Sequence, residues 1–365
     1  MAIKHGGNLI EIAARYGSNP ADWIDLSTGV SPFTYPVGEI PASVWNRLPE
    51  TGDGLEAAAK DYYGAAQMPV AVAGSQAAIM ALSGVITLEM GRCGTIALPR
   101  VGYKEHQQAW GSFEQNGKAW EIEFYDDFPT QHQFAISDVV LLINPNNPTG
   151  KLARPDALHA ALQEKQRKGG YLIVDEAFAD CTPELSMLST ASHHENLIVL
   201  RSVGKFFGMA GARVGFVFAK PVIKALLEET LGPWTVSGPA RWVMKRALQD
   251  SAWQQATAGR IQAASERLNQ LLDSKLKASG VNDSEVNAPE VDGFRAGTPL
   301  FTTVYLDHAV ACHEVLCQQQ VLTRLCDEKN AIRFGLPADE AQWDQLTAAL
   351  DVLAVTLKEV SPCAG

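Results

Sequence analysis

Leu197-Ile198-Val199-Leu200-Arg201-Ser202-Val203-Gly204-Lys205-Phe206-Phe207-Gly208-Met209-Ala210-Gly211-Ala212-Arg213-Val214-Gly215-Phe216 is the stretch whose reading decides the fold. An apolar run of the kind that fills a sheet stops at Ser202, and Lys205 follows three residues later. A glycine-bearing turn and Arg213, eight residues beyond the lysine, complete it, and Arg213 to Ala219 reads as the next strand. A lysine whose surroundings favour its neutral amine can form a Schiff base with a carbonyl. An arginine at fixed distance can hold a phosphate that anchors the same ligand. A lone lysine is more often a solvated surface group, so the reading turns on the rest of the chain.

Upstream, Gly170 to Phe178 places Asp175 at the end of a wholly apolar strand. An acid there is costly to bury unless it is paired. A protonated ring nitrogen suits it, because the carboxylate keeps the ring charged and therefore electron-withdrawing. Asp138 to Pro145 is a continuous apolar run, typical of a strand buried on both faces. It enters the dense turn signal Asn146-Asn147-Pro148-Thr149-Gly150, where Asn147 offers an amide to a ligand. Gly94 to Pro99 is another strand, with the flat rings of Tyr103 and His106 just past its end. Pro69 to Ala73 is a short strand, after which Gly74-Ser75-Gln76 opens a helix running to about Glu89. A helix start after a strand presents free N–H groups and a positive dipole end to a phosphate. Ligands of doubly wound sheets bind at the carboxyl ends of the strands. Together with the lysine stretch, these groups point to a covalently held pyridoxal 5'-phosphate (PLP).

The remaining chain supports an α/β reading with two domains, which 365 residues also favour. Asn8 to Tyr16 and Leu55 to Tyr63 have helical spacing, as do Pro155 to Lys168 and Pro221 to Thr230. Pro239 to about Leu276 reads as one or two long helices linking the domains. From about Ser279 the chain is loop-rich, and then Leu300 to Leu306 and Ala331 to Gly335 read as strands. Helices over His308 to Gln320 and Asp339 to Leu357 complete a small α+β domain. His5-Gly6-Gly7-Asn8, ahead of the first helix, is a loop able to wrap an anion. A net charge of −11 argues against a nucleic-acid surface, so phosphate binding should be local. No signal core or bilayer-length apolar run is present, and six cysteines lack zinc or CxxC spacing, which suits reduced thiols in a cytoplasm. His193-His194-Glu195 reads as a solvated loop, and no metal site is expected.

The set Gly74-Ser75, an aromatic past the next strand, Asn147-Pro148-Thr149-Gly150, Asp175, Ser202-x-x-Lys205 and Arg213 resembles the fold-type I PLP enzymes of the aspartate-aminotransferase superfamily. Within it the chain looks like the histidinol-phosphate-aminotransferase branch. It is most similar there to the threonine-phosphate decarboxylases of cobalamin biosynthesis, through His5-Gly6-Gly7-Asn8, Asp175-Glu176-Ala177-Phe178 and Ile332-Arg333-Phe334. The resemblance implies a large domain with a mostly parallel seven-stranded sheet and a small α+β domain. Residues 1–45 would be an arm and part of the small domain, 46–265 the large PLP-binding domain and 266–365 the small domain. It also implies a homodimer with a shared active site.

By the same resemblance Lys205 holds the cofactor and moves protons, Asp175 pairs with the ring nitrogen, and Asn147 bonds the ring's 3-oxygen. His106 takes the stacking position, with Tyr103 second. Gly74, Ser75, Ser202 and Arg213 bind the cofactor phosphate. Arg333 matches the grip on the substrate α-carboxylate and Arg324 the grip on its distal phosphate, where His5 can help. Three positions depart from the family pattern. Phe178 stands where aminotransferases usually carry tyrosine, Leu48 where many relatives place a tyrosine reaching the neighbouring subunit, and Gly29 where asparagine is frequent. The implied reaction is decarboxylation of L-threonine O-3-phosphate to (R)-1-amino-2-propanol O-2-phosphate; the alternative is transamination, as of histidinol phosphate.

Overall fold

The computed structural model of the chain describes residues 6–191, 194–277 and 294–360. It divides into two compact units. One comprises Thr34–Asn147 and Lys151–Gln255; the other comprises the chain up to Phe33, Pro148–Gly150 and the chain from Ala256 onward. Both long cuts fall earlier than the boundaries at 45 and 265 suggested by the sequence.

In the larger unit, strands β1 (Val70–Val72), β2 (Thr95–Pro99), β3 (Glu121–Tyr125), β4 (Val139–Ile143), β5 (Tyr171–Asp175), β6 (Leu197–Ser202) and β7 (Gly215–Phe218) form one seven-stranded sheet. Their order is β1-β7-β6-β5-β4-β2-β3. β7 is antiparallel to β1 and β6, and the other pairings are parallel. Every residue of β4 and β5 is buried, which is why these strands are apolar throughout rather than alternating. Helix Ser75–Met90 covers the sheet with Ala78, Ile79, Leu82, Val85 and Ile86, a stripe at helical spacing. Helix Pro155–Lys168 starts on proline and stops at Gly169, whose φ of 68° suits the left-handed cap. β3 escapes sequence reading because it lies at the sheet edge, with Glu121 and Glu123 interleaved among apolar residues.

Because β2, β4, β5 and β6 run the same way, Pro99, Ile143, Asp175 and Ser202 share one edge of the sheet. β7 runs back, so its first residue, Gly215, meets that edge opposite both Ser202 and Val72. Neighbouring strands are about 4.8 Å apart. Residues scattered through the sequence therefore converge there.

The region from 239 to 276 is two helices, Gly238–Gln249 and Ser251–Leu276. Asp250 separates them, its Oδ1 accepting from Trp253 N at 3.0 Å. The smaller unit contains β8 (Arg295–Thr298), β9 (Phe301–Tyr305), β10 (Arg324–Leu325) and β11 (Ala331–Gly335), antiparallel in the order β8-β9-β11-β10. Helices Ala309–Gln318 and Glu340–Val360 belong to this unit. No helix among the described residues is long and apolar enough to cross a membrane.

Candidate active site

The surroundings of Gly74 and Arg213, expected to bind a phosphate, begin with a missing carbon. Gly74 caps helix Ser75–Met90 with φ 73° and ψ 155°, and a Cβ there would stand 2.5 Å from Arg213 Nη2. At Gly215 a Cβ would stand 2.5 Å from Ser75 N. Two glycines thus let an arginine and the positive end of a helix approach one another. Arg213 itself is left-handed, at φ 53° and ψ 56°, a conformation rare outside glycine and concentrated at functional sites. Its Nη1 also reaches Ala210 O at 3.5 Å.

Asp175, 3% exposed, terminates β5 with two partners. Its Oδ1 accepts from Ala177 N at 3.1 Å, and its Oδ2 lies 2.8 Å from His106 Nε2. This overturns the stacking role expected for His106. The imidazole is 1% exposed and spends its Nε2 on the carboxylate, so it backs Asp175 instead of presenting a face to a ligand. Tyr103, the second candidate for that position, is only partly buried and donates to Gln76 Oε1 at 3.0 Å. Gln76 in turn donates to Glu105 Oε2 at 2.9 Å, linking the start of the capped helix to the turn after β2. Asn146 Nδ2 donates to Val101 O at 2.9 Å, so the turn carrying Asn147 is tied to the same turn.

Lys205 Nζ lies 5.4 Å from the centroid of the Phe178 ring, within cation–π range. Beneath this region Arg201 and Glu176, the neighbours of Ser202 and Asp175, pair at 2.8 Å while buried. Asp180 stands 3.6 Å from Arg201 and accepts from Tyr62 Oη at 3.1 Å. Burial pushes the Glu176 and Asp180 carboxyls up against the pull of the arginine. The ends of β5 and β6 are thereby joined by charge as well as by the ladder.

In the smaller unit Arg324 and Arg333 are direct cross-strand partners of β10 and β11. Like charges facing each other across a ladder are destabilising, so an anion is their natural complement. Arg333 is 6% exposed, and burial pulls its guanidinium down to about 10. Its Nη2 donates to Ser27 O, and its guanidinium stands 5.1 Å from the Phe301 centroid. Arg324 donates to Asp327 Oδ1 at 2.9 Å. His5 and His193 lie outside the described residues; His194 pairs with Gln166. Among the described residues no three metal-ligating side chains cluster.

Sequence reasoning missed Gln76, Ser27 and the Arg201–Glu176 pair. A charged residue inside an apolar strand was a visible signal only for Arg201.

The residues fit PLP. Gly74 and Gly215 let the Arg213 guanidinium and the helix start lie close together, a pairing suited to a phosphate, and a buried carboxylate ends the strand beside the one that leads to the lysine. Such a sheet, carrying lysine, acid and anion cradle at one edge, defines an α/β enzyme of the PLP-dependent transferase fold. The chain belongs to the aminotransferase class I and II family, whose model matches residues 53–287. It is 44% identical to a threonine-phosphate decarboxylase of Pseudomonas aeruginosa, over 95% of this chain and 97% of that protein. It is 36% identical to a threonine-phosphate decarboxylase of a Sinorhizobium species over the same shares. In fold it is similar to histidinol-phosphate aminotransferase from Sinorhizobium meliloti in complex with pyridoxal-5'-phosphate, with a TM-score of 0.76, 18% identity and coverage of 98% and 99% of the two chains.

Proposed function

We propose that the chain is a PLP-dependent carboxy-lyase that converts L-threonine O-3-phosphate to (R)-1-amino-2-propanol O-2-phosphate in cobalamin biosynthesis. The observation that carries the reading is Arg324 opposite Arg333, two cations on neighbouring strands suited to a substrate with a carboxylate and a phosphate. The two nearly full-length relatives reported above, both named as decarboxylases, support it.

When bound, the cofactor's pyridinium ring accepts the electron pair left at Cα as carbon dioxide departs. Asp175, oriented by His106 and Ala177 N, holds negative charge for the ring nitrogen. Arg213, Gly74, Ser75 and Ser202 hold the cofactor phosphate, Tyr103 covers the ring, and Asn147 bonds its 3-oxygen. Lys205 carries the cofactor and returns a proton to Cα. Arg333 takes the α-carboxylate and Arg324 the distal phosphate, with His5 assisting. With the distal phosphate held at Arg324 and the carboxylate at Arg333, the substrate would be fixed at two ends, and that positioning would select which bond at Cα breaks.

Incubation with O-phospho-L-threonine and no keto acid tests the reaction. Steady release of carbon dioxide and amine is expected; a single turnover that restarts only on addition of a keto acid would establish a transaminase. Lys205→Ala should lose the visible absorbance of the bound cofactor. The enzyme acts as a cytoplasmic homodimer in this reading. Exposed Trp45, Leu48 and Trp234, at 67%, 63% and 58%, and a groove of about 540 Å³ lined by Met68, Trp234 and Arg241, support an interface.

A further inference from the structure

We propose that Ser27 is a positioning residue for Arg333 and keys the N-terminal arm to that arginine; this rests on Arg333 being the grip on the substrate carboxylate. Ser27 is 1% exposed, and each of its polar groups is engaged. Its backbone oxygen accepts from Arg333 Nη2. Its N–H and hydroxyl both donate to Asp25 Oδ1, at 2.9 and 2.6 Å, and the hydroxyl oxygen accepts from Gly7 N at 2.8 Å. The adjoining Leu26 donates from its N to Leu322 O at 2.8 Å and accepts from Gly335 N at 2.7 Å. Ser27 is thus pinned to β11, the strand that carries Arg333.

The arm's two glycines follow from this contact. A Cβ on Gly6 would stand 2.4 Å from Ser27 O, and Gly7 is left-handed at φ 83°. A guanidinium is a planar fork of five donors, so engaging Nη2 at Ser27 O, with the Phe301 ring 5.1 Å from the group, restricts the plane in which the others lie. A carboxylate bound by two parallel hydrogen bonds depends on that plane. Asp25 aims Ser27, Ser27 aims Arg333, and the docked arm closes the other side of the serine. The chemical class served is a carboxylate-bearing amino acid.

The test uses the PLP-loaded enzyme and three substitutions. In Ser27→Ala and Gly6→Ala, amide exchange at Gly7 should accelerate, KM for O-phospho-L-threonine should rise about three- to tenfold, and kcat and the cofactor spectrum should hold. Asp25→Asn, whose amide oxygen still accepts both bonds, should keep Gly7 protected. Unchanged KM in both arm variants, a loss confined to kcat, or unaltered Gly7 exchange in Ser27→Ala overturns the proposal. So does loss of Gly7 protection in Asp25→Asn. If Ser27→Ala fails to fold, Gly6→Ala, which alters only the arm, decides by the same readouts. If the wild type releases no amine, the decarboxylase reading falls separately, and calorimetric affinity for O-phospho-L-threonine reads the grip of Arg333 in place of KM.

Discussion

A methyl group at Gly74 would collide with the Arg213 guanidinium and would also have to accept φ 73°. Gly74→Ala should therefore lower PLP affinity by about tenfold or more, the loss expected for one charge-assisted hydrogen bond. Fluorimetric titration of cofactor-free enzyme checks this, and unchanged affinity would remove Gly74 from the cradle. Residue identity singled out Lys205, Asp175 and Arg213, because charge inside or beside an apolar strand calls for a partner. It could not distinguish Tyr103 from His106. Both rings sit just past β2, and only the fold shows that one turn of helix carries His106 inward to Asp175. Ser27 was illegible for a related reason. Serine is common in loops, its bonds to Asp25 are local, and the arginine it meets lies at the far end of the chain.

Helix Pro155–Lys168 shows how far periodicity reaches at the scale of an element. Its buried face is Leu158, Ala161, Leu162 and Lys165, so a lysine occupies an apolar-stripe position. Lys165 Nζ donates to Phe134 O at 2.8 Å and to Ser137 O at 2.5 Å, and burial pulls the amine down from 10.5 to about 8. Between those values the unfolded chain holds the proton and the folded chain does not, so stability rises with pH across that window. Urea unfolding at pH 8 and pH 10 should show the wild type gaining up to about 2 kcal/mol over Lys165→Met. A parallel response in both proteins would refute the buried amine. Long elements such as β4, β5 and this helix were legible because burial on both faces, or a helix cap, leaves a dense local signature. β3 was not, and neither was β10, where two residues suffice to place Arg324 across from Arg333.

For the whole molecule, the exposed apolar groups Trp45 and Leu48 carry the dimer proposal. Trp45→Glu with Leu48→Glu should shift sedimentation from the dimer toward the monomer, whereas retention of the dimer would place the interface elsewhere. The reversed direction of β7 bears on how the lysine is anchored. The chain leaves the sheet at Ser202 and rejoins it at Gly215, its register partner one strand away. The intervening segment is moored at both feet, like a handle riveted to a plate, so the sheet fixes where the span that carries Lys205 begins and ends. In the proposed reaction the amine that returns the proton would be delivered from that doubly anchored span, on the same sheet that ends in Asp175.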